Sequence, residues 1–307
     1  MTSSRGRGLL HLAAALDQPG VYDAGPYVEQ ARLAERGGLD FVTLGDTGAG
    51  ADTDVGASTG AGTFTGPGPD AAAVLARVAP ATHRVGLVPT LTDARQVRTA
   101  VTALDRVSRG RAGWRTHALA GAWAGEAVDD TGRSIYVADA TGGAARLAAA
   151  RHADVALVRA VSADQARAVR RELRAEAVGS GREPESLRVL VSLLVDLGDG
   201  EYAAEPGHGG GGPRQSVRGP LYRGGPVDLA ELIAAWHQDG TADGFHLVPV
   251  EPRRDLERLV NGTVALLQHR GLFRTFYPGS TLREHLGLAR PTHSTVRAEQ
   301  TDPVGKG

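Results

Sequence analysis

The 307-residue sequence contains no cysteine. That one absence excludes disulfides, thiolate nucleophiles, cysteine-ligated zinc and iron–sulfur clusters. Lysine is nearly missing as well, since Lys306 is the one lysine among 34 basic residues. These are offset by 35 acidic residues, with a net charge of -1 and a pI of 6.8. Such a balance offers no electrostatic footprint for nucleic acid or an anionic membrane, so neither partner is expected. No apolar run approaches the roughly 18 residues of a membrane span. The short one after MTSSRGRGLL carries His11 and Asp17 and lacks a persuasive leader cleavage site, so a cytoplasmic protein is expected.

The common catalytic signatures are also missing. The glycine-rich run 207–216 lacks the Gly-Lys-Ser/Thr ending that cradles a phosphate, and there is no nucleophile elbow. GxGxxG readings near Gly48 or Gly60 do not sit in a tight strand–turn–helix. Ten histidines show no two-ligand spacing such as HExxH. His11 and His246 fall on strand patterns, where a hydrogen-bonded core role competes with one as ligand or base. Trp114 and Trp236 read as core anchors or stacking platforms.

What is abundant is glycine, 42 of 307 residues or about 14%, against a usual share of roughly 7%. Two runs concentrate it, with seven glycines in 48–68 and ten in 198–225. With 41% hydrophobic and 22% charged residues, the composition is otherwise that of a globular protein.

Short apolar runs bounded by turn residues predict eight strands, at 9–16, 41–44, 84–89, 111–114, 135–138, 155–158, 187–197 and 245–250. Helical periodicity fills most of the gaps, with caps expected at Asp70, Asp93, Thr141, Ser162 and Asp228 and a last helix from Asp255. Alternation of near-continuous apolar strands with helices predicts an α/β fold, a closed parallel (β/α)8 TIM barrel, with an open doubly wound sheet as the alternative. About twenty residues separate strands four and five, so a shortened unit is expected there. A single domain over 1–290 and a flexible tail over 291–307 complete the expectation. Both glycine-rich runs follow a strand, which places them on the face where barrel active sites are built.

The stretches 83–90 (HRVGLVPT), 103–114 (ALDRVSRGRAGW), 149–155 (AARHADV), 242–249 (ADGFHLVP) and 270–291 (RGLFRTFYPGSTLREHLGLARP) resemble the bacterial luciferase-like flavin-dependent monooxygenases. The branch is that of nitrilotriacetate monooxygenase, pristinamycin synthase component A and dibenzothiophene-sulfone monooxygenase. The resemblance implies a barrel, often a homodimer, that takes reduced FMN from a separate flavin reductase and uses oxygen to oxygenate a small organic substrate. It also implies a cofactor site. Asp46 stands for the acid after the second strand, and Thr90 for the threonine ending the third. Where the family reads Trp-Asn-Val-Val-Thr-Ser after strand four, this chain reads Trp114-Arg115-Thr116-His117-Ala118-Leu119. Trp114 and Arg115 are expected at the cofactor, and His117 is the candidate acid or base.

The family's Gln-Ala-Gly-x-Ser turn at the phosphate end is here Ala138-Asp139-Ala140-Thr141-Gly142-Gly143. Thr141, Gly142 and Gly143, opening a helix, are expected to hold the phosphate, with Asp139 opposing it. The chain is shorter than is usual in this branch, chiefly after strands four and seven. Two further readings stay open. One is a catalytically degenerate barrel that has lost its flavin chemistry and binds flavin, another ligand or a partner; the other is a deazaflavin-dependent oxidoreductase of the wider superfamily.

Overall fold

The computed structural model describes residues 9–18, 21–45, 70–91, 94–116, 134–198 and 212–289. Among them ten strands run in chain order: β1 (His11–Ala15), β2 (Phe41–Leu44), β3 (Gly86–Leu91), β4 (Gly113–Thr116), β5 (Ile135–Asp139), β6 (Val155–Val158), β7 (Arg188–Asp196), β8 (Arg214–Ser216), β9 (Gly219–Arg223) and β10 (Gly244–Pro249). Strands β1 to β7 pair in parallel in sequence, and β10 pairs in parallel with both β7 and β1. The eight-stranded parallel barrel therefore closes, which leaves it without exposed edges.

The eight expected strands form the barrel, and two more that the sequence pattern does not show join it. Strands β8 and β9 form an antiparallel hairpin inside the second glycine-rich run, and β9 continues in parallel along the upper end of β7 (Leu194 opposite Leu221, Val195 opposite Tyr222). The first glycine-rich run, the segment between strands four and five, and the C-terminal tail lie outside the described residues.

Helices α1 (Ala24–Arg36), α2 (Ala71–Val78), α3 (Ala94–Ser108), α4 (Gly143–His152), α5 (Ala163–Gly179) and α6 (Pro226–Gln238) link the strands. A final helix is built from α7 (Pro252–Arg258), a π-helical turn (Leu259–Val264) and α8 (Ala265–His269), and α9 (Leu282–His285) follows. Asp70 caps α2 by accepting from the Ala72 and Ala73 amides, and Ser162 caps α5 through the Gln165 amide. Two expected caps and one expected helix start are displaced. α4 is capped by Gly142, one residue after Thr141; α6 starts at Pro226, two residues before Asp228; and α7 starts at Pro252. Proline at the first helical position needs no partner for its missing N–H, which moves the last two starts upstream.

Side chains alternate across each strand. One parity meets the helices in the main core. The other lines the barrel as a separate cluster of Ala13, Phe41, Val88, Ile135, Val137, Val155, Leu157 and Leu190, which Leu282, Leu286 and Leu288 complete from below. The segment after α8 thus plugs the N-terminal opening.

The same end repeats one device three times. Asp40, Asp154 and Asp243 stand just before β2, β6 and β10. Each donates its backbone N–H to a carbonyl of a neighbouring strand (Leu12 2.7 Å, Tyr136 3.0 Å, Val189 2.9 Å), and accepts that residue's N–H on its own carboxylate at 2.8, 3.0 and 2.9 Å. Each carboxylate is also paired with arginine: Arg274 for Asp40, Arg283 for Asp154, and Arg170 with Arg174 for Asp243. Burial works against the charge of Asp243, but the hydrogen bond and charge of Arg170, with Arg174, hold its carboxyl below the usual carboxylate range. The N-terminal end is therefore built for stability, leaving the opposite end for ligands.

Candidate functional site at the C-terminal mouth

Strand parity decides which side chains enter the mouth. Thr90 follows the inward Val88 on β3, Asp139 follows Val137 on β5, and Arg159, just past the end of β6, follows Leu157. Arg115 on β4 stands opposite Thr90 in the ladder. Three of these converge. The Nη2 atoms of Arg115 and Arg159 lie 3.8 and 3.6 Å from the same oxygen, Oδ2 of Asp139. The other oxygen, Oδ1, accepts the Thr141 N–H at 2.9 Å and the Thr141 hydroxyl. Arg115 is only 5% exposed, whereas the side chains of Asp139 and Arg159 are 27% and 37% exposed. Among the described residues, two guanidiniums face this one carboxylate.

Directly beyond Thr141, Gly142 opens α4 without a side-chain cap. Among the described residues, a Cβ added at Gly142 or Gly143 would meet nothing within 4 Å. Free N–H groups and the helix dipole make such a terminus receptive to an anion. Thr90 supplies a second vacancy. It is 8% exposed, and its Oγ1 has no hydrogen-bond partner among the described residues. A buried unsatisfied hydroxyl costs about 1–3 kcal/mol, a cost that a ligand in the mouth would remove.

Beneath the mouth, His246 joins Thr43 (Oγ1 to Nε2, 2.9 Å) and Ser192 (Oγ to Nδ1, 3.1 Å), and His11 joins Asp40 through Nδ1 at 3.1 Å. Both strand histidines are hydrogen-bonded and buried. Beside β7, Asp196 pairs with Arg223 at 2.9 Å and Arg254 at 2.8 Å.

The structure brings Arg115, Thr141, Gly142 and Gly143 together around Asp139, with Thr90 beside Arg115. It does not bring Trp114 to them. Trp114 has the parity opposite to Arg115, lies in the helix-facing core, and stacks on Tyr136 with centroids 4.1 Å apart and planes 13° from parallel. Burial in that layer pushes the Tyr136 hydroxyl up to about 12. Asp46 and His117 lie outside the described residues. Sequence reasoning missed Arg159, although the inward parity of Val155 and Leu157 carries on to it. Among the described residues no cluster of histidine and carboxylate side chains could hold a metal ion, and no helix is long and apolar enough to cross a membrane.

No family model matches the chain. Nitrilotriacetate monooxygenase component A of Aminobacter aminovorans is 45% identical over 74 residues, which are 24% of this chain and 16% of that protein. The matched part is thus under a fifth of the curated relative's length. EDTA monooxygenase from Chelativorans sp. BNC1 has a similar structure, with a TM-score of 0.70 and 19% identity over 92% of this chain and 99% of the other. A riboflavin lyase structure, solved with modified FMN and its substrate riboflavin, gives a TM-score of 0.72 and 16% identity over 92% of this chain and 97% of the other. The two solved structures share the closed parallel barrel fold of this chain, and the local match to nitrilotriacetate monooxygenase component A agrees with the resemblance carried by its sequence.

Proposed function

We propose that the protein is a flavin-dependent monooxygenase that takes reduced FMN from a separate reductase and oxygenates a small organic substrate. The observation that carries this reading is the mouth itself. A buried hydroxyl without a partner, two converging guanidiniums and a helix N-terminus without a side-chain cap lie together on the face where barrel enzymes bind ligands. These residues fit a flavin. Thr90 offers a hydroxyl to a polar ring edge, and Arg115, Arg159 and the first turn of α4 offer positive potential to its phosphate. When bound, the flavin supplies the activation of oxygen. The chain's own part is to bind and orient, with Val88, Val137 and Leu157 forming the apolar wall below the site that excludes water. The same reading makes the protein a cytoplasmic homodimer; both properties rest on the family resemblance.

Titration with oxidised and reduced FMN, followed by absorbance and flavin fluorescence, tests this. Saturable binding of the reduced form is expected, and no binding of either form at high micromolar concentration overturns the reading. Arg115→Ala should weaken flavin binding by about tenfold or more, the weight of a charge-assisted contact. Flavin binding without substrate-dependent oxygen uptake would instead identify a barrel that has kept the ligand and lost the reaction.

A further inference from the structure

The anion seat of the mouth is already taken by the protein's own carboxylate. At the turn into α4, the Thr141 N–H and hydroxyl both go to Asp139 Oδ1, while Arg115 and Arg159 reach Oδ2 from the strands on either side. At 3.8 and 3.6 Å these two contacts are ion pairs longer than hydrogen bonds, and the partly exposed Arg159 has room to re-aim. Among the described residues Asp139 is the only carboxylate with which Arg159 makes an ion pair. Its stem is seated against Gly219 at the start of β9, where an added Cβ would stand 3.7 Å from its Cδ. The hairpin absent from the sequence-based expectation therefore backs a residue of the site.

We propose that Asp139 is an intramolecular counter-anion that sets which flavin this barrel takes, so that it binds FMN no more tightly than uncharged riboflavin. The inference rests on the flavin reading above and concerns its phosphate end. A phosphomonoester carries roughly -1.5 to -2 charges at neutral pH. Placed against Arg115, Arg159 and the α4 amides, it would stand within a few ångströms of the Asp139 carboxylate. Repulsion at that range, partly screened near the surface, is worth about a tenfold factor in affinity and offsets what the guanidiniums give. The uncharged ring and ribityl chain do not feel it. Thr90 lies on the neighbouring β3 and supports the ring end for either flavin.

Dissociation constants of riboflavin and FMN for the wild-type chain, Asp139→Asn and Arg159→Gln test the proposal. Asparagine keeps an acceptor for the Thr141 N–H, removes the charge and turns its NH2 toward Arg115 and Arg159. The wild-type constants should agree within about threefold. Asp139→Asn should tighten FMN by about tenfold and leave riboflavin unchanged, and Arg159→Gln should weaken FMN alone. A wild-type preference for FMN above about tenfold overturns the proposal without need of a variant, as does an unchanged ratio in a folded Asp139→Asn protein.

A second measurement uses inorganic phosphate as the probe, recording the thermal midpoint as phosphate is added. Asp139→Asn should gain a phosphate-dependent rise that the wild type lacks. If neither flavin binds any of the three proteins, the flavin reading falls and this measurement decides the role of Asp139 alone. A gain upholds the counter-anion and no gain overturns it. If flavins bind but their ratio ignores Asp139, the flavin reading stands and the counter-anion falls.

Discussion

Replacing Asp40 with asparagine is expected to destabilise the barrel by about 3–5 kcal/mol, the cost of breaking one side of a buried ion pair. Asp40 is fully buried where β1 meets β2. One oxygen accepts from His11 Nδ1 at 3.1 Å and pairs with Arg274, while the other accepts the Leu12 N–H at 2.8 Å. Asparagine can keep the Leu12 bond, but its amide then turns a donor toward Arg274 and His11, and the arginine, with its side chain only 10% exposed, loses its counter-charge. Arg274 lies over the rings of Phe273 (5.1 Å) and Tyr277 (5.7 Å), and the Tyr277 hydroxyl donates to Leu39 O at 2.8 Å. The damage therefore passes into the segment that plugs the barrel. Urea unfolding gives the magnitude.

The pH dependence adds a sign. Burial raises the cost of charging Asp40, yet the charge of Arg274 and the contact with His11 overcome it, and the carboxyl is held below the usual range. A depressed carboxylate contributes stability above its unfolded value near 3.9 and loses it as pH falls through the folded value. The gap between wild type and Asp40→Asn should be constant near neutrality and narrow below about pH 4. A gap that is constant down to pH 2 would show that the charge of Asp40 is not what stabilises the fold.

The barrel was legible because its strands are short apolar runs separated by capped helices, a periodicity that holds in a sequence with one lysine and 42 glycines. The hairpin was not. Its first strand is three residues with two exposed (Arg214, Gln215), and the second begins Gly219-Pro220, so neither shows alternation. Starts drifted at α6 and α7, where proline opens the helix and an aspartate further along carries the stronger signal, and at α4, where Thr141 stands one residue before the glycine cap. In the site, Arg115 was legible as a departure from the family pattern. Asp139 was read as opposing a phosphate, which its position supports. Arg159 stands one residue beyond the last apolar residue of β6, so apolar patterning alone does not reach it. Trp114, expected at the cofactor, shows the limit of carrying a role across a resemblance, since one step along the strand separates the lumen from the helix layer. The repeated aspartates before β2, β6 and β10 stand in the sequence as LDF, ADV and ADG, but their reciprocal bonds depend on strand neighbours that only the closed barrel reveals.

Leu282→Ala should cost about 3–4 kcal/mol, toward the upper part of the range for buried leucine, because a closed barrel cannot collapse onto the void. Leu282 is fully buried at the N-terminal opening. A Cβ placed on Gly86 would come within 2.7 and 2.9 Å of its two methyl groups, and one on Gly113 within 3.4 Å of the second. The two glycines therefore leave the volume that the leucine fills. Gly86→Ala alone should destabilise by about 1–3 kcal/mol through overpacking. Combined with Leu282→Ala, it should cost clearly less than the sum, since the methyl added on one side enters space vacated on the other. Recovery will be partial, because the Cβ of Phe41 also stands 2.9 Å from the new methyl. Strict additivity in a double-mutant cycle would show that these residues do not share the cavity. Flavin affinity, measured where both proteins are folded, should not follow the stability loss, because the plug and the mouth lie at opposite ends of the same strands. A parallel loss of flavin affinity would mean that the lower end of the barrel shapes the upper one.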